Sequence, residues 1–306
     1  MPKSVISLAE SFFLRSPRSD RSEVDGSHPP KYRSLILFLM PTLYFGASFV
    51  YDLPQTLQTQ LQSAPLNLTY AEFNALYGVD SIPNIILPFI GEVIINFIGL
   101  NISIITLTSL VFLGNCLLTW GVSTSSYSTI VWGRIIYALG SESLSVVQSM
   151  IAVKWFSNNE LALVLGWNNN VAALGSNLSI VRSPFLNSMT EKTWLPCFIG
   201  ALCYFFSFLS AIGYAIFDKT QKSKNHAIGE ENFEDYIPRW KDIKTISIVY
   251  WVINLYHMVF YLSFHGVATN LNNQIHEGFG FTNIQAGGLV LIYNAQLIFI
   301  SPIVGR

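Results

Sequence analysis

Charge is scarce in this sequence: Asp, Glu, Lys and Arg make up 11% of its 306 residues, where soluble domains carry roughly 25%. A soluble chain of this length has nowhere to hide 51% hydrophobic residues; a bilayer does. A net charge of −1 supplies no basic field, which speaks against nucleic acid as a partner. Cysteine is equally sparse. Cys116, Cys197 and Cys203 all lie inside apolar runs, so they read as small core residues rather than as a disulfide framework or metal site. Also missing are a glycine-rich phosphate loop, a CxxC pair, an HExxH helix and a nucleophile elbow. No enzyme chemistry is legible, and no cofactor or metal is expected. The first 32 residues lack the unbroken apolar core of a secretory signal, because Glu10 interrupts the patch from Val5 to Leu14. They read as a cytosolic tail.

Long hydrophobic runs are what the chain does have. A helix needs about 20 mostly apolar residues to cross the hydrocarbon core, and eight stretches qualify. They lie near Ser34–Tyr51, Phe73–Ile95, Ile102–Gly121, Tyr127–Val153, Leu161–Val181, Leu195–Phe217, Thr245–Phe264 and Ala286–Val304. A polar stretch, Asp218–Lys244, separates the sixth from the seventh. The tail and this linker hold 12 of the 17 basic residues, while the loops Leu53–Tyr70 and Gly266–Gly280 hold none. By the positive-inside rule, tail and linker are both cytosolic. Six spans between them is an even number, as that orientation requires. The expected organisation is a cytosolic tail (1–33), a six-span half (34–217), a cytosolic linker (218–244) and the first two spans of a second half (245–306). Two six-helix halves would need four further spans, so the chain reads as truncated. Asn67-Leu68-Thr69 is a possible glycosylation site in the first non-cytosolic loop. Asn101 and Asn177 are sequons by spelling only, at or inside spans.

Ionisable groups inside spans are expensive and therefore mark candidate sites. Arg134 and Glu142 share the fourth span, about 80° apart around the helix and about 12 Å apart along it. Glu142 reads as the holder of a cationic substrate group or of a coupling proton, or else as a member of a structural ion pair. Asp80, on the second span, lies at a depth similar to that of Arg134. An Asp80–Arg134 pair would remove two unpaired charges from the interior at once. Asp52, followed by Pro54, reads as a cap on a bend at the end of the first span, or as a gating group. The fifth span carries Asn168-Asn169-Asn170, of which at most one or two can face a cavity. Asn170 shares a face with Asn177, and interhelical hydrogen bonding is the alternative role. His257 and His265 on the seventh span read as proton sensors or as interfacial packing groups.

These residues also resemble a known family. Tyr51-Asp52-Leu53-Pro54, running on to Leu57-Gln58, is similar to the YDxPxxLQ segment in one branch of the major facilitator superfamily. That branch is the lysosomal dipeptide uniporters called major facilitator superfamily domain-containing protein 1. Leu76-Tyr77, Ser81, Pro83 and Asn84 resemble its second span. Gly133-Arg134 through Gly140-Ser141-Glu142-Ser143-Leu144, with Gln148, Ala152-Val153 and Trp155-Phe156, resemble its fourth. Gly175-Ser176 resembles its fifth, and Phe279-Gly280-Phe281 with Ser301-Pro302 and Gly305 its seventh and eighth. The resemblance implies an all-α transporter fold and facilitated export of dipeptides from lysosome to cytosol. It implies a glycosylated single-span accessory protein as partner, beside the lipid bilayer and a small peptide or other solute. Glu142 would then bind the peptide's amino group in a central cavity, and Arg134 would be the basic residue of the superfamily's fourth-span motif. On the residues themselves, Arg134 and Asn170 are further candidate substrate contacts, and Asp80, Asp52 and Pro54 candidate structural or gating residues.

Two positions depart from that pattern. The superfamily's Gly-x-x-x-Asp-Arg/Lys latch is replaced by Gly91…Ile95-Asn96, which removes its charges. Ala173 stands where the branch has an arginine suited to a peptide carboxylate, and Arg182 lies too far along to replace it. Another small organic solute, or a transport-inactive membrane scaffold, is the alternative expectation.

Overall fold

In lipid, a chain this apolar must satisfy its backbone within itself, and among open structures only the helix does so. The computed structural model describes residues 30–156, 158–190, 192–224, 248–268, 270–282 and 284–292, and no strand occurs among them. In chain order α1 is Pro30–Tyr51, followed by two single turns, α2 (Leu53–Thr56) and α3 (Gln58–Leu61). Then come α4 (Tyr70–Ile98), α5 (Leu100–Ser123), α6 (Tyr127–Trp155), α7 (Asn158–Thr190) and α8 (Trp194–Lys224). After the linker lie α9 (Ile248–Ala268), α10 (Leu271–Phe279) and α11 (284–292). The end of the bundle where α1 begins is called here the proximal face, and the end reached at Asp52 the distal face.

Four of these helices are long and apolar enough to cross a membrane, within α1, α5, α6 and α8. The 33-residue α7 is long enough at about 1.5 Å per residue, but its Asn and Ser residues dilute its apolar character. Two expectations are adjusted. The region 266–280, read as a loop, contains the nine-residue α10. The sixth span does not stop at Phe217; α8 continues through Lys224 because buried Asp218 is held there by neighbouring helices.

The first six long helices do not pack in chain order. α4 lies on α6, α6 on α5, α5 on α8, α8 on α1, and α1 on α7. α5 and α6 cross closely along their length, and glycine makes it possible. A Cβ on Gly133 would come within 2.7 Å of the Leu118 backbone nitrogen, and one on Gly114 within 2.5 Å of that of Tyr137. Small residues that let helix backbones touch are how membrane helices gain dispersion contacts without a hydrophobic drive between them. One residue, Gly99, joins α4 to α5 at φ +92°, a conformation that L side chains avoid.

The interior is layered along the bundle axis. Ile36, Met40, Leu144, Val147, Ile151 and Tyr214 fill the proximal part. Val50, Val111, Tyr137 and Tyr204 fill the middle. Leu57, Leu61, Phe73, Leu76, Leu118 and Ile130 close the distal part. Many large apolar side chains point outward instead, among them Phe38, Phe97, Trp120, Trp132 and Phe206, as a lipid-facing perimeter requires.

Candidate functional site

The close approach of α5 and α6 at Gly133 turns the next residue, Arg134, into the bundle, where it is fully buried. Its Nη2 forms an ion pair with Asp80 of α4, and its Nη1 lies 3.5 Å from the carbonyl oxygen of Tyr51. Three rings surround the guanidinium carbon: Tyr77 at 5.0 Å, Tyr137 at 5.2 Å and Tyr51 at 5.4 Å. All three lie within the roughly 6 Å over which a ring quadrupole attracts a cation. Tyr77 is three residues before Asp80 and Tyr137 three after Arg134, so each ion carries its own aromatic neighbour one turn away. That spacing was the available sequence signal for the cage.

The tyrosine hydroxyls are themselves held. Tyr137 donates to the carbonyl of Ala47 at 2.8 Å, and Tyr77 accepts from the backbone N–H of Gln55 at 2.9 Å. The cage thereby links α1, α2, α4 and α6. Two polar atoms stay without a hydrogen-bond partner among the described residues, Arg134 Nε and Asp80 Oδ1. Their desolvation is tolerable because removing either ion would strand the other charge, which costs more.

Asp52 is buried at the distal end of α1. It does not cap the following turn, since no backbone N–H there reaches its side chain. Instead it accepts from the Gln55 amide at 2.7 Å and from the Ser176 hydroxyl of α7. Neutral donors on two elements satisfy both of its oxygens, which ties the end of α1 to α7. Pro54 sits in the first turn of α2 and lines a small apolar pocket with Leu57, Leu76, Leu118 and Cys197.

Glu142 lies near the middle of α6, half-buried, two turns beyond Arg134 on the proximal side. It is within electrostatic range of Asp80 and of Tyr51. On α7, Asn168 is buried, Asn169 exposed and Asn170 half-buried, while Asn177 is buried again. The stripe Asn168, Ala172, Gly175, Ser179 and Ser183 faces α1, where a Cβ on Gly175 would meet the Phe45 carbonyl oxygen at 2.3 Å. Asn170 lies off that stripe, with Ala173 and Asn177. Neither amide atom of Asn168 or Asn177 has a partner among the described residues. Arg182 is exposed, so the one cation of α7 points away from the interior.

The remaining candidates fall outside this centre. Asn67 is exposed on the distal face at φ +49°, and the Thr69 hydroxyl of its sequon forms a capping box with Glu72 at the start of α4. The side chains of His257 and His265 lie outside the described residues. Asn101 is not in a loop either; its amide donates to Asp218 at 3.0 Å on the proximal face. There Lys154 also reaches Asp218 at 2.6 Å, and Arg33 pairs with Glu160 while lying 5.5 Å over the Phe156 ring. No cluster of three or more metal-type ligands occurs among the described residues.

The pattern that describes the Major Facilitator Superfamily matches residues 33–306. Over 312 aligned residues the chain is 27% identical to the lysosomal dipeptide transporter MFSD1 of Danio rerio, covering 94% of this chain and 66% of the relative. It is 27% identical over 284 residues to the Homo sapiens protein of the same name, covering 90% and 60%. The Mus musculus protein is 29% identical over 227 residues, covering 71% and 48%. The chain thus spans less than two thirds of the length of these curated relatives.

Proposed function

Because this chain belongs to the major facilitator superfamily, we propose that it carries small peptides across a membrane by alternating access, with Glu142 receiving the substrate's amino group. One observation carries the assignment of that role. Arg134, the other ionised residue of α6 within the bundle, is engaged by Asp80 and enclosed by three tyrosines. Its charge holds the half together, and Glu142, half-buried at mid-helix two turns away, is the acid of α6 placed to meet a cationic ligand. Asn170, half-buried on α7, is the neutral group proposed to add a hydrogen bond. Asp80, Asp52 and Pro54 are scaffold and gate residues in this reading.

The proximal face is cytosolic and the distal face luminal, a reading supported by the basic residues gathered in the tail and the linker. The relatives named as lysosomal dipeptide transporters support a peptide cargo and the lysosomal membrane as the location. The sequon at Asn67 then faces the lumen, where a glycan can be added, and a glycosylated single-span partner belongs to the same proposal.

The decisive experiment reconstitutes the complete protein that contains this chain and follows uptake of a labelled dipeptide mixture. Uptake is expected, with Glu142→Gln reducing it at least 10-fold at unchanged expression. Equal uptake by the variant would remove Glu142 from the site. A second reading, a solute without a free carboxylate, is favoured by the α7 face at Ala173, where no cation stands. Dipeptide amides distinguish the two readings. Carriage of amides but not of the free acids would select the second.

A further inference from the structure

The two halves of the chain are joined by hydrogen bonds at the distal face. The Gln58 amide donates to the Asn270 side-chain oxygen at 3.1 Å, and the Thr59 hydroxyl to that of Asn273 at 3.2 Å. The Tyr70 hydroxyl lies 3.1 Å from both carboxylate oxygens of Glu277, and the Asn270 amide 3.4 Å from the Asn74 oxygen. The partners are separated by about two hundred residues of chain, with four on the first half (α3 and the start of α4) and three on α10 or at its cap. We infer that these seven side chains form a latch that holds the distal, luminal side of the transporter shut, and that α2 and α3 couple it to the Arg134 cage. The inference rests on the orientation and the alternating access proposed above.

The chemistry suits a reversible closure. Apart from Glu277, the latch is made of neutral amides and hydroxyls, whose net contributions are small because water replaces each bond when it breaks. The latch is also incompletely satisfied. Gln58 Oε1 is buried without a partner among the described residues, as are Gln60 Oε1, Gln62 Nε2 and Asn272 Oδ1 on the neighbouring residues. Opening would hydrate these atoms, so part of what closure gains is returned. A contact built in this way leaves two states close in free energy, which a bistable element requires.

The coupling path is short and polar. Asp52, Gln55, Gln58 and Thr59 lie within two turns of chain. At one end Gln55 binds Tyr77 and Asp52, and the Tyr51 carbonyl and the Tyr77 ring lie against Arg134. At the other end Gln58 and Thr59 bind the second half. A shift of the cage therefore moves the residues that hold the latch. The two halves also touch through backbone: a Cβ on Gly287 of α11 would lie 3.0 Å from the carbonyl oxygen of Ile180, one turn past the Ser176 that binds Asp52.

The test uses the complete protein with its native cysteines replaced by alanine and new ones introduced as Thr59→Cys with Asn273→Cys. Oxidation is expected to cross-link the pair without substrate, to abolish dipeptide uptake, and to be reversed by a reductant. Failure to cross-link, or undiminished uptake by cross-linked protein, overturns the latch. A second readout needs no transport. In a separate background, labelling of Ala173→Cys by a membrane-impermeant thiol reagent from the distal side reports luminal opening. Adding Thr59→Ala with Tyr70→Phe is expected to raise that labelling rate by about 4- to 140-fold, each lost contact shifting the open-to-closed ratio by about 2- to 12-fold. An unchanged rate also overturns the inference. If labelling responds while no dipeptide is carried, the latch stands and the cargo assignment falls.

Discussion

The two faces of this bundle are fastened with different chemistry. On the proximal face and in the interior, charged groups join helices of one half to each other: Lys154 and Asn101 to Asp218, Arg33 to Glu160, and Arg134 to Asp80. On the distal face, mainly neutral side chains join one half to the other. Charge-assisted bonds withdrawn from water are costly to break, because the partner left behind is a stranded ion. Neutral bonds exchange readily with water. Contacts within one half are held by ions, and those between the halves mainly by neutral side chains.

The strongest challenge to that contrast is Arg134→Met. It leaves Asp80 buried and unpaired, and a loss of about 3–5 kcal/mol is expected, enough to abolish a monodisperse peak in size-exclusion chromatography. The double variant with Asp80→Asn should recover much of that loss. A double variant as unstable as the single one would mean that the cage matters through packing and not through charge. Gly133→Val ranks next, at about 1–3 kcal/mol, because its methyl groups meet the α5 backbone. It should lower the melting temperature measured by intrinsic fluorescence, and Gly133→Ala should do so less.

Asp218→Asn removes the shared anion of the proximal cluster. Lys154 is partly exposed, so the expected cost is about 1 kcal/mol. Arg33→Gln should cost less, about 0–1 kcal/mol, since both side chains of that pair reach solvent and surface pairs are weak. Its effect should fade when the melt is repeated in high salt. Latch substitutions such as Asn273→Ala should barely move the melting temperature while changing luminal accessibility. A large stability loss there would erase the difference between the two faces.

Much of this fold was legible before any coordinates. Apolar runs separated by polar gaps carry the helices, because the bilayer sets a fixed length and admits few backbone solutions. The Arg134–Asp80 contact was also legible in outline: two opposite charges at similar depth in a low-dielectric interior have strong reason to meet. Asp52 was harder. Its place before Pro54 suggested a cap, but a capping carboxylate and one that binds the Gln55 side chain and another helix look alike in one dimension. Among Asn168, Asn169 and Asn170 the sequence allowed one or two inward residues. Helix rotation against α1, fixed by Gly175 at Phe45, decided that Asn168 is buried and Asn170 only half so.

The distal latch was out of reach of sequence reading. Gln58, Thr59, Asn270 and Asn273 are ordinary polar residues in segments that read as loops, and nothing local marks them as partners across two hundred positions. By itself, then, the sequence determined the solvent, the all-helical class and the charges that had to find one another, because those follow from transfer energies summed along the chain. Only the tertiary structure decided which neighbours each helix chose, which tyrosines enclosed Arg134 and which side chains joined the two halves. Those outcomes depend on how helices rotate and cross, and that is settled by close backbone contacts at a few glycines and not by any residue's own preference.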